Sequence, residues 1–168
     1  MKSSGKRDTG QAGEATQTAI SLAQRKRILD AAERIFATYG LEGSSLARIA
    51  GEVGMSKQHL VYYFRTKDDL YRQVLRNVLE LWWSRMPRLA ADDPRPPLDV
   101  LREFVHAKFA LSRERPFASK LFAQEVIRGR AMSRELELRD PSGRVANEIA
   151  LFEQWIARGQ MAPVAPAH

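Results

Sequence analysis

The chain has 168 residues, 44% of them hydrophobic and 28% charged, and it contains no cysteine. That length supports one or two folded domains with a real core, while zero cysteines exclude disulfides and thiolate metal sites and fit a cytoplasmic setting. Net charge is +7 and uneven: residues 1–85 hold 14 Lys/Arg against 9 Asp/Glu, or +5, and residues 86–168 hold 13 against 11, or +2. The first half is therefore the one suited to an anionic partner, whether nucleic acid or membrane surface. No apolar run approaches the ~20 residues that span a bilayer. The histidines His59, His106 and His168 are scattered, so a metal site has little to build on.

In chain order, "MKSSGKRDTGQAGEATQ" has basic residues without a following apolar segment, so residues 1–20 read as a flexible, basic-leaning arm and no secretory signal. From Ser21 the pattern is helical. Ile28, Ala32, Ile35, Phe36 and Tyr39 recur at three- and four-residue steps, and Gly40 stands where a left-handed cap ends such a helix. Ser45 suits the N-cap of a short second helix with Leu46, Ile49, Ala50 and Val53 inside. Gly54-Met55 makes a tight break, and Ser56 can cap a third helix that runs through Phe64. Asp68 and Asp69 favour a fourth helix start beside Lys67, because acidic groups suit the positive end of a helix dipole. That helix is long, with Leu70, Val74, Leu75, Val78, Leu79, Trp82 and Met86 on one stripe, until Pro87 and "DDPRPP" break it.

After Pro97 two more helices are expected, split at Pro116, then a break at Asp140-Pro141. A last helix runs through Val145, Ile149, Phe152 and Ile156 to Gly159, and "MAPVAPAH" reads as an extended tail. Strand alternation and internal repeats are not apparent, so the class is all-α. The domain boundary falls inside the long fourth helix. Residues 21–66, with the start of that helix to about 75, form one domain, and 67–168 form a helical second domain.

Three short helices with a glycine turn between the second and third are the helix-turn-helix arrangement. At about 100° per residue, Leu60 and Phe64 share one face of the third helix, with Tyr63 beside them. Gln58, His59 and Tyr62 fall opposite, with Val61 at the edge and Lys57 at the start. Either this is a solvated polar face, or it is a surface for a groove: Gln and Lys can bond base edges, and Tyr and Lys can reach phosphates.

The stretch "GLEGSSLARIAGEVGMSKQHLVYYFRTKDDLYRQVL" resembles the DNA-binding domain of TetR-family transcriptional regulators, from about Arg25 to Leu75. The resemblance lies in Ser45, Ile49-Ala50, Gly54-Met55-Ser56, Tyr62-Tyr63-Phe64 and Lys67-Asp68-Asp69-Leu70; Val61 departs from it, where many members carry tyrosine. It implies that Ser45, Tyr62 and Lys67 contact phosphates of double-stranded DNA, that Lys57, Gln58 and His59 face bases, and that Arg48 braces the backbone. It also implies a homodimer on a palindromic operator, a small-molecule effector that releases it, no cofactor and no membrane partner. Each residue keeps a plainer reading: Ser45 as cap only, His59 as merely exposed, Lys67 as offsetting Asp68.

The second half is similar, within that family, to regulators of pyrimidine utilisation, through "VLRNVLELWW", "AKFALSRERPFASKLFAQEV" and "FEQWIARGQMAPVAP". Candidate ligand-binding residues are Trp82, Phe104, Phe122, Phe152 and Trp155 as an apolar lining, with Lys108, Ser112, Gln124 or Glu125 as orienting polar groups. The alternative is a helical core that happens to hold aromatics. Members of the subgroup continue past the segment like "MAPVAPAH" into two helices that form the dimer interface, so an incomplete effector domain and weakened dimerisation are expected. Two functions follow: a ligand-released repressor, or a shortened protein that pairs with an intact relative and interferes with it. An enzyme is not expected, since no carboxylate pair, nucleophile–base set or phosphate loop stands at useful spacing.

Overall fold

The computed structural model describes residues 8–89, 93–128 and 143–163. Among the described residues there are seven helices and no strand. They are α1 (Asp8–Tyr39), α2 (Leu46–Glu52), α3 (Lys57–Tyr63), α4 (Lys67–Arg85), α5 (Pro97–Glu114), α6 (Pro116–Arg128) and α7 (Arg144–Ala157). The expected break at Asp140-Pro141, residues 1–7 of the arm and residues 164–168 of the tail lie outside the described residues.

Most boundaries follow local chemistry. Gly40 closes α1 at φ 70° and Gly54 makes the α2–α3 turn at φ 70°, a left-handed conformation that glycine adopts without a Cβ penalty. Ser45 and Ser56 cap α2 and α3, each side chain accepting a backbone N–H three residues on. Pro97 and Pro116 open α5 and α6, where the missing N–H is no loss. The start of α1 is a correction: helix begins at Asp8, within the stretch expected to be a flexible arm. Residues 8–20 lack apolar periodicity, so the pattern gives no sign of helix there, but they are free of proline and nothing in the stretch forbids one. Ile20 and Leu22 on this part of α1 are exposed.

Contacts divide the chain into two units, Met1–Val74 and Leu75–His168, with the division inside α4. In the first unit, Ile28, Ala32, Ile35 and Phe36 of α1, Ile49 and Ala50 of α2, Leu60 of α3, and Leu70 and Tyr71 of α4 are buried, with α2 packed on both α1 and α3. The Phe36 and Tyr71 rings meet edge-on with centroids 4.9 Å apart. Each such large side chain contributes about 1.5–3 kcal/mol by leaving water. In the second unit α5 packs on α6, and Leu89, Val100, Leu151 and Trp155 form a cluster joined by Leu101, Phe104, Phe152 and Met161.

Candidate nucleic-acid interface

The α2–turn–α3 segment is short, so its geometry depends on a few contacts. α3 has seven residues, and only Leu60 among them is buried. Leu60 therefore anchors the helix, and the opposite face is left to solvent. Lys57, Gln58, His59 and Tyr62 all stand exposed there, Tyr62 with 82% of its surface open. The rings are ordered by one another: Tyr62 meets Tyr63 edge-on at 5.4 Å, and His59 lies 5.6 Å from Tyr63. A tyrosine this exposed stabilises no core, while its phenol is free to reach a phosphate oxygen.

Around this face, cations from α1 hold the segment from behind. Arg27 donates to the Val53 carbonyl at 3.2 Å, at the C-cap of α2. Arg34 pairs with Glu52 at 3.2 Å. The Arg25 guanidinium sits 4.4 Å from the centroid of the Phe64 ring, just after α3, and bonds Gln73 of α4 at 3.5 Å. These arginines were missed in the sequence, because only the fold shows what lies opposite them. Arg65, also missed, is exposed directly after α3.

The remaining expected contacts divide. Ser45 Oγ is exposed but accepts the Arg48 N–H at 3.2 Å, so its cap role is present. Arg48 is exposed on α2, its guanidinium 3.7 Å from the Tyr39 ring centroid. A contact of that kind holds the side chain with about 0.5–1 kcal/mol at exposed sites. Lys67 does not project with the others. Its ammonium donates to the Leu41 carbonyl at 2.8 Å and the Ser44 carbonyl at 3.2 Å. Two residues on, hydrogen bonding from Arg72 holds the Asp69 carboxyl below its usual pKa. Among the described residues no group of His, Asp and Glu is arranged to hold a metal ion, and no helix is long and apolar enough to cross a membrane.

Comparison with known proteins places the chain in a family. Residues 28–74 match the family described as bacterial regulatory proteins, tetR family, and residues 75–168 match the YcdC-like protein C-terminal region. The chain belongs to the TetR family of transcriptional regulators. It is 35% identical over 146 residues to the HTH-type transcriptional regulator RutR of Escherichia coli K12, covering 87% of this chain and 68% of that protein. Over 86 residues it is 38% identical to the HTH-type transcriptional repressor Rv1474c of Mycobacterium tuberculosis, covering 51% of this chain and 42% of that one. The solved structure of AibR with isovaleryl coenzyme A and operator DNA superposes with a TM-score of 0.66 at 23% identity, covering 84% of this chain and 77% of that one. HlyIIR, a hemolysin II transcriptional regulator, gives 0.64 at 22% identity, covering 84% and 77%. At those identities the structures establish the fold alone.

In the second unit of this TetR-family chain, the candidate ligand residues fall into two groups. Trp82 is buried and stacks on Phe122 with centroids 4.6 Å apart, and the Lys108 ammonium lies 5.7 Å from the Trp82 ring. Phe104 and Trp155 instead belong to the cluster around Val100 and Leu151, where Phe152 meets Trp155 edge-on at 5.4 Å. Ser112 is half-buried. Glu125 is buried and pairs with Arg128 at 3.7 Å. Trp82 Nε1 and Ser119 Oγ are buried and have no hydrogen-bond partner among the described residues. Such atoms are uncommon and each asks for an explanation. Ser119 stands three residues before Phe122, one helical turn away on α6, a spacing that gives no signal in sequence without the fold.

Proposed function

We propose that the chain is an operator-binding repressor, released from DNA by a small-molecule effector held in its second unit. The observation that carries the DNA reading is the exposed α3 face of Lys57, Gln58, His59 and Tyr62, opposite the buried Leu60. Lys57, Gln58 and His59 meet base edges, while Tyr62, Ser45 and Arg48 meet the phosphate backbone on either side. Two chains bind as a homodimer to a palindromic operator, their recognition helices one turn of DNA apart, about 34–36 Å.

For the effector, support comes from the Trp82–Phe122 stack, the nearby Lys108 ammonium, and the unsatisfied Trp82 Nε1 and Ser119 Oγ. Two donors beside flat aromatic surface suit a planar heterocycle with carbonyl acceptors, a pyrimidine in the reading suggested by sequence. The test is selection of duplexes from a random pool, followed by footprinting of the enriched site and titration with uracil. A two-fold symmetric site whose protection is lost on adding uracil is expected. Enrichment of no sequence would sink the operator reading, and protection indifferent to uracil would remove the pyrimidine.

A further inference from the structure

We infer that Lys67 is a positioning residue: its ammonium clamps the α1–α2 turn to the first turn of α4, and through that turn sets Ser45 and Arg48. It does not meet a DNA phosphate. The inference rests on the operator-binding reading for its consequence, though not for its geometry.

A lysine ammonium has three donors and no acceptor. Two of the three are spent on the Leu41 and Ser44 carbonyls, at 2.8 and 3.2 Å. Charge explains why the side chain turns this way. Lys67 is the first residue of α4, where the positive end of the helix dipole disfavours a cation. The Leu41 carbonyl lies two residues past Tyr39, the last residue of α1, where the negative end of that helix favours a cation. Reaching back to Leu41 moves the charge away from the positive end of α4 towards the negative end of α1, and the Ser44 carbonyl adds a second acceptor. A phosphate would have to displace two charge-assisted hydrogen bonds in a half-buried setting.

The clamped turn has little slack. A Cβ on Gly43 would stand 2.4 Å from the Tyr39 carbonyl oxygen, so the backbone there runs as close as glycine permits. Ser44 is buried and its hydroxyl donates to the Gly40 carbonyl at 2.6 Å, while its N–H donates to Leu41 O at 3.3 Å. The Ser44 carbonyl that Lys67 grips leads directly into Ser45, the N-cap of α2, which in turn accepts the Arg48 N–H. Release of the ammonium therefore frees the residues proposed to flank the recognition helix.

The test compares Lys67→Met, which keeps side-chain length without donors, with Lys67→Arg, which keeps charge and donors. Each full chain is titrated with a labelled mixed-sequence duplex across a range of salt, and amide exchange is followed by NMR without DNA. Lys67→Met should weaken binding about tenfold and speed exchange of the Ser44 and Arg48 amides, which bond Leu41 O and Ser45 Oγ, by a similar factor, as loss of a charged hydrogen bond implies. The slope of log affinity against log salt should stay at the wild-type value, and a reduced folded fraction does not alter that slope. Lys67→Arg should recover most of the affinity. In a Ser45→Ala background the Lys67→Met loss should shrink, since residues acting through one another are not additive. A slope lowered by about 0.9, the mark of one lost phosphate contact, would overturn the inference whatever exchange shows. Unchanged exchange would also overturn it. If the wild type binds no duplex, the operator reading fails, and exchange alone still decides whether Lys67 holds the turn.

Discussion

Ser56→Ala probes whether the recognition helix depends on its cap. α3 has seven residues and four backbone N–H groups at its start without helical partners. Ser56 Oγ accepts one of them, from His59 at 3.2 Å. Helices this short are not stable in isolation, so the cap and the buried Leu60 carry most of what holds α3. Replacing an N-cap serine with alanine costs about 1 kcal/mol, roughly fivefold in the folded-to-unfolded ratio. For a domain of about 60–100 residues that lowers Tm by roughly 4–8 °C. Circular dichroism melts give the stability, and titration with a selected operator gives the affinity. Ser56→Asn should restore both, because asparagine caps equally well. Ser56→Asp should restore stability yet weaken DNA binding, since it adds a negative charge beside the face proposed to meet DNA. An alanine variant with unchanged Tm, or an asparagine variant no better than alanine, would refute the cap argument.

Gln58→Ala should lower affinity for a selected operator by about 1–3 kcal/mol and leave mixed-sequence binding nearly unchanged; equal losses on both would remove Gln58 as a base reader. Gly43→Ala places a methyl carbon 2.4 Å from a backbone oxygen that cannot yield cheaply, so destabilisation above about 1 kcal/mol is expected in denaturant titration. Arg95 hydrogen bonds hold the Asp93 carboxyl down from 3.8 to about 2, so the pair stabilises the second unit above the ordinary carboxylate pKa and loses that effect as pH falls towards 2. The Tm gap between wild type and Asp93→Asn should therefore be widest near neutral pH and close in acid, and a gap that widens in acid would contradict the pairing.

What the sequence made legible is chemistry that acts within a few residues. Ser45, Ser56, Gly40, Gly54, Pro97 and Pro116 mark helix ends through their own backbone and side-chain preferences, and the structure places ends there. The α3 face was legible because its period is local. Residues 8–20 were not, because no apolar stripe announces a helix there. Contacts across the chain were not legible either. Lys67 and its two carbonyl partners are 26 and 23 residues apart, and Arg27 is 26 from Val53. Sequence marked Lys67 as a cation near DNA-binding elements, but only the fold shows which acceptors face it. Likewise, aromatics were flagged together in the second half, and the fold separates Trp82 and Phe122 from Phe104 and Trp155.

The charge of the first half also reads differently once partners are known. Lys26 and Arg72 pair with acids on their own helices, Arg34 pairs with Glu52, and Arg25, Arg27 and Lys67 are held by a ring, an amide or carbonyls. Among the described residues of the first unit, Arg48, Lys57 and Arg65 remain without an acidic or carbonyl partner. Basic excess is thus mostly structural, and the outward set per chain is small. Counterion release scales with phosphates neutralised, at about 0.9 per contact on B-DNA, so three cations give a salt slope near −2.7 per chain. The full chain also carries Lys2, Lys6 and Arg7, so the measurement should be made on the full chain and on a variant lacking residues 1–7. A slope near −2.7 per bound chain, or about −5.4 for two chains on a palindrome, is expected for the shortened variant, with any excess in the full chain assigned to those three residues. A shortened variant with a slope steeper than about −4.5 per bound chain would require at least five phosphate contacts from each chain. The arginines and lysine assigned to holding the fold would then have to be touching DNA, and the division between reading and supporting cations would fail.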